Sequence, residues 1–146
     1  MEAKGTPAYL IDTNIFLNVL RKEEPYVAAS CALLLDVETR KVGGLISTIT
    51  MSEILVGAYR VGSAAVRTVN LALNKLENAG LTFIPVDKRI AHKGAEIRAS
   101  YKLKLPDALI AATAILNEAQ ALISRDKQMY ATIAGLRVAT PEEIGY

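Results

Sequence analysis

The chain has 146 residues, 51% of them hydrophobic and 22% charged, with 17 Lys and Arg against 15 Asp and Glu for a net charge of +2. This is enough chain for one hydrophobic core, too little for two, and too apolar to be intrinsically disordered, so residues 1–146 read as a single domain. The single cysteine, Cys31, excludes an internal disulfide, and with only one histidine, His92, there is no Cys/His set for structural zinc.

Tyr9 to Ile11 reads as a short buried strand, after which Ile15, Phe16, Val19 and Leu20 recur at helical spacing. Pro25 suits a first helical position, and Val27 to Val37 is apolar enough to be a core helix that Gly43 and Gly44 stop. Leu45 to Thr48 is a second strand, and Ile54, Leu55, Ala58 and Tyr59 mark a helix closed by Gly62. A helix from Ser63 to Ala79 ends at Gly80, and Leu81 to Ile84 forms a third strand. Asp87 caps a helix whose buried face is Ile90, Gly94, Ile97 and Tyr101. Pro106 opens a helix reaching the region of Glu118, Ala121 to Ser124 is a fourth strand, a short helix lies near Met129, and Leu136 to Val138 is an edge strand. Strands alternating with helices predict an α/β fold: a three-layer α/β/α sandwich around a central, mostly parallel sheet of four or five strands. The longest apolar run, Ala108 to Leu116, contains Thr113 and is about half the length a membrane span requires. Asp12 interrupts the apolar stretch near the N-terminus before a signal-peptide core could form, which leads us to expect a cytoplasmic protein with no membrane partner.

With no pair of histidines and no Gly-x-Ser-x-Gly, Gly-x-Gly-x-x-Gly or phosphate-loop motif, any chemistry falls to carboxylates. Glu23, Glu24, Glu38, Glu77, Glu142 and Glu143 sit in polar stretches that read as solvated surface. Four other acids share a different position: Asp12 after the first strand, Glu53 in the first turn after the second, Asp107 at the start of the Pro106 helix, and Asp126 just past the fourth strand. Parallel strands bring their carboxyl ends to one edge, where ligands of open α/β sheets bind, so these four can converge. Each also has a purely structural reading. Thr50-x-x-Glu53 matches a capping box, Asp107 favours the positive end of its helix, Asp126 can be a turn or cap residue, and Asp12 or Thr13 can cap the first helix. Four converging carboxylates, however, repel one another unless a cation neutralises them. Hard oxygen ligands select Mg²⁺ or Mn²⁺, and such ions promote hydrolysis of phosphodiesters. With those four set aside, 17 basic residues face 11 acidic ones, which favours a polyanionic partner. Lys102, Lys104, Arg125, Lys127, Arg21 and Lys22 are candidate phosphate contacts or ordinary solubilising surface.

Taken together, Ile11-Asp12-Thr13-Asn14, Thr50-Met51-Ser52-Glu53-Ile54, Leu105-Pro106-Asp107-Ala108-Leu109-Ile110-Ala111-Ala112-Thr113-Ala114 and Ile123-Ser124-Arg125-Asp126 resemble the PIN domain, most closely toxin ribonucleases of VapC type. The resemblance runs from Tyr9 to Pro141. It implies that Asp12, Glu53, Asp107 and Asp126 are the acidic quartet holding Mg²⁺ or Mn²⁺ for cleavage of single-stranded RNA, with products carrying a 5′-phosphate and a 3′-hydroxyl. Asp12, Asp107 and Glu53 are then expected at the principal ion, and Asp126 at a second or weaker site. Asn14 and Ser124 match supporting polar positions, Ser124 standing where many relatives have threonine. The resemblance further implies a homodimer and an inhibitory antitoxin protein; it leaves the substrate-binding residues unassigned and gives Arg98 no clear role. Three alternatives stay open: a phosphatase of the haloacid-dehalogenase kind, disfavoured because Asn14 replaces its second aspartate; a receiver-like Mg²⁺-binding module, disfavoured because Asp12 has no acidic neighbour; and a PIN-like RNA- or protein-binding module without cleavage activity. His92 reads as non-catalytic and Cys31 as buried packing.

Overall fold

Alternating side chains along the first strand, β1 (Ala8–Ile11), divide the interior in two: Tyr9 and Ile11 enter one core and Leu10 the other. The structure, a computed structural model, describes residues 6–146. Five parallel strands form one sheet in the order β3-β2-β1-β4-β5. The others are β2 (Gly43–Ser47), β3 (Thr82–Ile84), β4 (Ala121–Ile123) and β5 (Val138–Ala139). On the Tyr9 and Ile11 side lie α1 (Thr13–Leu20), α2 (Val27–Glu38), α3 (Thr48–Val61) and α4 (Ser63–Ala79), contributing Ile15, Phe16, Leu33, Ile54 and Leu73. On the Leu10 side lie α5 (Lys88–Ser100) and α6 (Leu105–Leu116), contributing Ile90, Ile97 and the alanine-rich Ala108 to Ala114 stretch. A one-turn helix, α7 (Lys127–Tyr130), and a 3-10 turn over Glu142–Ile144 complete the described elements. The sandwich is therefore three-layered, with an all-parallel sheet covered on both faces.

The helix from Ser63 to Ala79 has the bounds its sequence predicts, because Gly62 and Gly80 both adopt positive φ at its ends. Elsewhere the structure corrects local expectations. Gly43 and Gly44 do not stop α2, which ends at Glu38; they begin β2, paired with Ala8 and Tyr9. A Cβ on Gly44 would lie 2.7 Å from Val37 Cγ1, so the glycine is there for close packing of sheet on helix. Pro25 stands two residues ahead of α2, which starts at Val27, and the last strand is Val138–Ala139 instead of Leu136 to Val138. Cys31 is exposed on α2, not buried, since the buried stripe of that helix is Ser30, Leu33, Leu34 and Val37.

The tightest helix pair is α5 on α6. A Cβ on Gly94 of α5 would stand 2.6 Å from Leu109 Cδ2, and this close approach fixes the helix that carries Asp107. Gly94→Val is expected to destabilise the fold by about 1–3 kcal/mol through overpacking. Urea denaturation would show a lower midpoint with an unchanged slope, and an unaltered midpoint would refute the close-packing role.

Candidate active site

The chain leaves β1 toward β2 and β3 on one side while β4 and β5 lie on the other, so the loops after β1 and β4 part and open a crevice at the carboxyl rim of the sheet. Asp12 directly follows β1, and Ser124, Arg125 and Asp126 follow β4. The Asp12 backbone N–H donates to Ile123 O at 2.9 Å, extending the ladder by one residue and seating Asp12 in the crevice. Asp12 caps α1: its Oδ1 accepts from the Thr13 N–H at 2.8 Å, while Oδ2 accepts from the Ser124 hydroxyl at 2.7 Å. The residue is only 4% exposed. Burial, reinforced by the charges of Asp107 and Asp126, raises its pKa to about 6 despite those two hydrogen bonds.

Ser124 and Asn14 tie the two loops together. The buried Ser124 hydroxyl donates to Asp12 and accepts from the Asp126 N–H at 3.0 Å and the Asn14 amide at 3.4 Å. Asn14 Nδ2 also donates to Asp126 Oδ2 at 3.1 Å, and its Oδ1 accepts from the Arg125 N–H at 3.2 Å. Asp126 occupies the N-cap position of α7 but makes no side-chain cap, so its carboxylate stays exposed at the rim.

Glu53 is not part of a capping box. Helix α3 starts at Thr48, and Ser47 is its cap, the Ser47 hydroxyl accepting from the Ile49 N–H at 3.1 Å. Glu53 therefore falls in the second turn of α3, where its Oε1 accepts from the Thr13 hydroxyl at 2.8 Å; Thr13 Oγ1 also lies 3.1 Å from Thr50 Oγ1. Asp107, half-buried in the first turn of α6, has its pKa raised by burial and then by the charges of Glu53 and Asp126, with Lys104 opposing. All four acids also act on Tyr130: burial first, then Asp12, Asp107, Asp126 and Glu53 push its phenol pKa far upward, so it remains a hydroxyl. The sequence does not single out Thr13 or Tyr130 as a site residue. Thr13 had a signal, its place between Asp12 and Asn14, whereas Tyr130 had none.

The basic residues beside Asp126 face away from the site. Arg125 is 13% exposed and lies over the Tyr26 ring at 4.5 Å. It donates to Asn18 Oδ1 at 3.1 Å, Ser30 Oγ at 3.0 Å and Glu142 Oε2 at 2.5 Å. Lys127 pairs with Glu143 at 2.6 Å. Burial disfavours the Glu142 charge, yet the hydrogen bond from Arg125 holds its carboxyl below the ordinary range. Neither acid is merely solvated surface. Because α1 is eight residues long, about 12 Å, Arg21 and Lys22 stand at its far end from Asp12. Lys102 and Lys104, both exposed, are the cations nearest in sequence to Asp107; His92 and Arg98 are exposed on α5.

Among the described residues, no three carboxylate, histidine or cysteine side chains form a ready-made ion cage. The donor set nevertheless fits a small hard cation, which keeps several waters and needs only one or two carboxylates directly. Burial, with the neighbouring acids adding to it, disfavours the charged forms of Asp12 and Asp107, Lys104 alone opposing it at Asp107, and the buried Tyr130 hydroxyl has no hydrogen-bond partner.

The PIN domain family model matches residues 9–135. Among solved structures, the chain is similar to a toxin–antitoxin complex from Klebsiella pneumoniae at 32% identity and a TM-score of 0.71, covering 91% of this chain and 97% of that one. It is also similar to DNA-bound VapBC from Salmonella typhimurium at 20% identity and a TM-score of 0.70, covering 93% and 99%. A third similarity is to VapC20 of Mycobacterium tuberculosis, a sarcin–ricin loop cleaving toxin, at 14% identity and a TM-score of 0.65, covering 88% and 98%. The last two show a shared fold. No curated protein sequence gives a significant match.

The raised Asp12 pKa has a definite sign for stability. The folded value, about 6, lies above the unfolded 3.8, so the stabilising contribution is complete below pH 3.8 and is lost as the pH rises through 6. Its full extent is about 2–3 kcal/mol. Thermal midpoints measured in chelator from pH 4 to 7.5 should fall for the wild type relative to Asp12→Asn; parallel profiles would contradict the burial of this charge. Arg125→Ala, which removes hydrogen bonds to Asn18, Ser30, Glu142 and the Tyr26 carbonyl together with the stacking on Tyr26, is expected to cost about 2–4 kcal/mol in urea titrations, and an unchanged midpoint would show that Arg125 is not a brace.

Proposed function

Since the chain belongs to the PIN domain family, we propose that it is the toxin nuclease of a VapBC-type toxin–antitoxin pair, an Mg²⁺- or Mn²⁺-dependent endoribonuclease acting on single-stranded RNA in the cytoplasm. The observation that carries this reading is the convergence on one rim of Asp12, Glu53, Asp107 and Asp126, from four different elements, with the deepest of them held at a pKa near 6. Asp12 and Asp107, with Glu53, would hold the ion, and Asp126 would complete a second or weaker site. When bound, such an ion neutralises phosphate charge, acidifies a water and stabilises the leaving oxygen. The residues of the chain do the rest. Ser124 and the Thr13 N–H fix both oxygens of Asp12, so that carboxylate does not reorient as charge develops. Asn14 holds Asp126 and Thr13 holds Glu53, setting the spacing of the rim. Lys104, whose charge acts on Asp107, would draw a polyanion toward that residue.

The 32%-identical relative is described as part of a toxin–antitoxin complex, which supports an antitoxin as protein partner. Tyr59 and Val61 on α3 and Leu71 on α4 are strongly exposed apolar side chains. They support assembly into a homodimer or with that antitoxin.

Purified protein should cleave unstructured RNA in Mg²⁺ or Mn²⁺ and not in chelator. Asp12→Asn and Asp107→Asn should each lower the rate by roughly a hundredfold or more while leaving the fold intact by circular dichroism. Equal rates in wild type and Asp12→Asn would reject the assignment. Salt-sensitive RNA binding by the wild type without cleavage in either ion would instead identify a binding module.

A further inference from the structure

Tyr130 closes α7 and is among the largest fully buried side chains, 0% exposed, in the core between the sheet and helices α5 and α6. A phenylalanine would fill the same space. Tyrosine adds one atom, a hydroxyl that is buried without any hydrogen-bond partner, an arrangement folded proteins avoid because the desolvated group gains nothing in return. The position of that hydroxyl suggests what it is for. Tyr130 sits on α7, whose N-cap is Asp126, and shares its core with Ala108, the residue after Asp107; the four rim carboxylates disfavour its ionisation, and it favours the charged form of Asp107 while its hydroxyl makes no hydrogen bond.

The other three acids each have a side-chain donor. Ser124 donates to Asp12, Thr13 to Glu53 and Asn14 to Asp126. Asp107 is the member of the set beside which a donor stands unused. We propose that Tyr130 is a positioning residue whose hydroxyl donates to the Asp107 carboxylate when a divalent cation occupies the rim, so that each acid is then oriented by one donor. The inference rests on the metal-dependent reading above and deepens it. A carboxylate drawn toward a cation by one oxygen leaves its other oxygen for an outer donor, and such donors fix ligand orientation. The hydroxyl on a residue otherwise buried as part of the core is thereby accounted for.

The test is calorimetric titration of Mn²⁺ alone, without RNA, into the full chain at pH 7.5, comparing wild type, Tyr130→Phe and Asp12→Asn. Tyr130→Phe should bind Mn²⁺ about tenfold more weakly than wild type, and its thermal midpoint without ion should be equal or higher, since the change removes an unpartnered polar atom. Wild-type affinity in Tyr130→Phe would overturn the positioning role and leave the metal-dependent reading standing, provided Asp12→Asn loses binding. A lowered midpoint in the ion-free Tyr130→Phe protein would also overturn it, by showing that the hydroxyl anchors the fold. No Mn²⁺ binding by the wild type would remove both readings.

Discussion

A carboxylate lies buried where β1 and β4 part, and much of the rim is arranged around that charge. Taking an ionised aspartate out of water is costly unless it is hydrogen-bonded and paired. Asp12 receives hydrogen bonds from the Thr13 N–H and the Ser124 hydroxyl, but no cation, and its pKa of about 6 registers the difference. The residues before it in β1 and beside it in β4, Ile11 and Ile123, are fully buried. The charge therefore cannot escape by moving outward without disrupting the central strand pair. A proton relieves it, which is what the raised pKa expresses, and under the metal-dependent reading a bound cation would do the same.

The basic residues flanking Asp126 do not pair with that carboxylate, and the reason lies at the other end of the chain. Asp126 is flanked by Arg125 and Lys127, either of which could neutralise the rim if it turned toward Asp12. Glu142 and Glu143, on the last short turn, take up both: Arg125 is drawn to Glu142 and to the polar groups of Asn18 and Ser30, and Lys127 to Glu143. Two buried partners, Asn18 and Ser30, and two exposed ones, Tyr26 and Glu142, make Arg125 a brace between α1, α2 and the C-terminal turn. Its planar guanidinium suits that task, since it can donate in several directions at once and stack on Tyr26. The acids of the C-terminal turn thus help keep the acids of the rim free.

How much of this was legible in the sequence follows from which interactions are local. Strand and helix alternation, the Gly62 and Gly80 boundaries of α4 and the Asp87 cap depend on neighbours within a few residues, and periodicity with turn chemistry reveals them. The sheet rule then brings Asp12 and Asp126 to one edge without knowledge of any side-chain contact. Glu53 shows the limit. Thr50-x-x-Glu53 has the spacing of a capping box, but Ser47 caps the helix, and Glu53 instead meets Thr13, 40 residues away. By sequence Arg125 is a candidate phosphate contact or ordinary solubilising surface; its partners Asn18, Ser30 and Glu142 are remote in the chain and nothing local announces them. Cys31 misleads for a related reason. Helix α2 is apolar nearly all round, so its pattern does not say which face is inward.

The quartet also draws on both cores at once. Asp12 and Asp126 hang on β1 and β4, the centre of the sheet, whereas Glu53 is carried by α3 in the layer below and Asp107 by α6 in the layer above. No single layer could bring the four together. The distance between Glu53 and Asp107 is set by how closely each helix layer packs on the same sheet, and on the upper side that packing runs through α5 and the contact of Gly94 with Leu109. Helix packing in a dense core has few intermediate arrangements. A volume change in either layer therefore shifts one acid relative to the other three, while the strand-borne pair, tied together through Ser124 and Asn14, stays in place. If the rim binds an ion as proposed, packing defects that leave the sheet folded should weaken that binding through the two helix-borne acids.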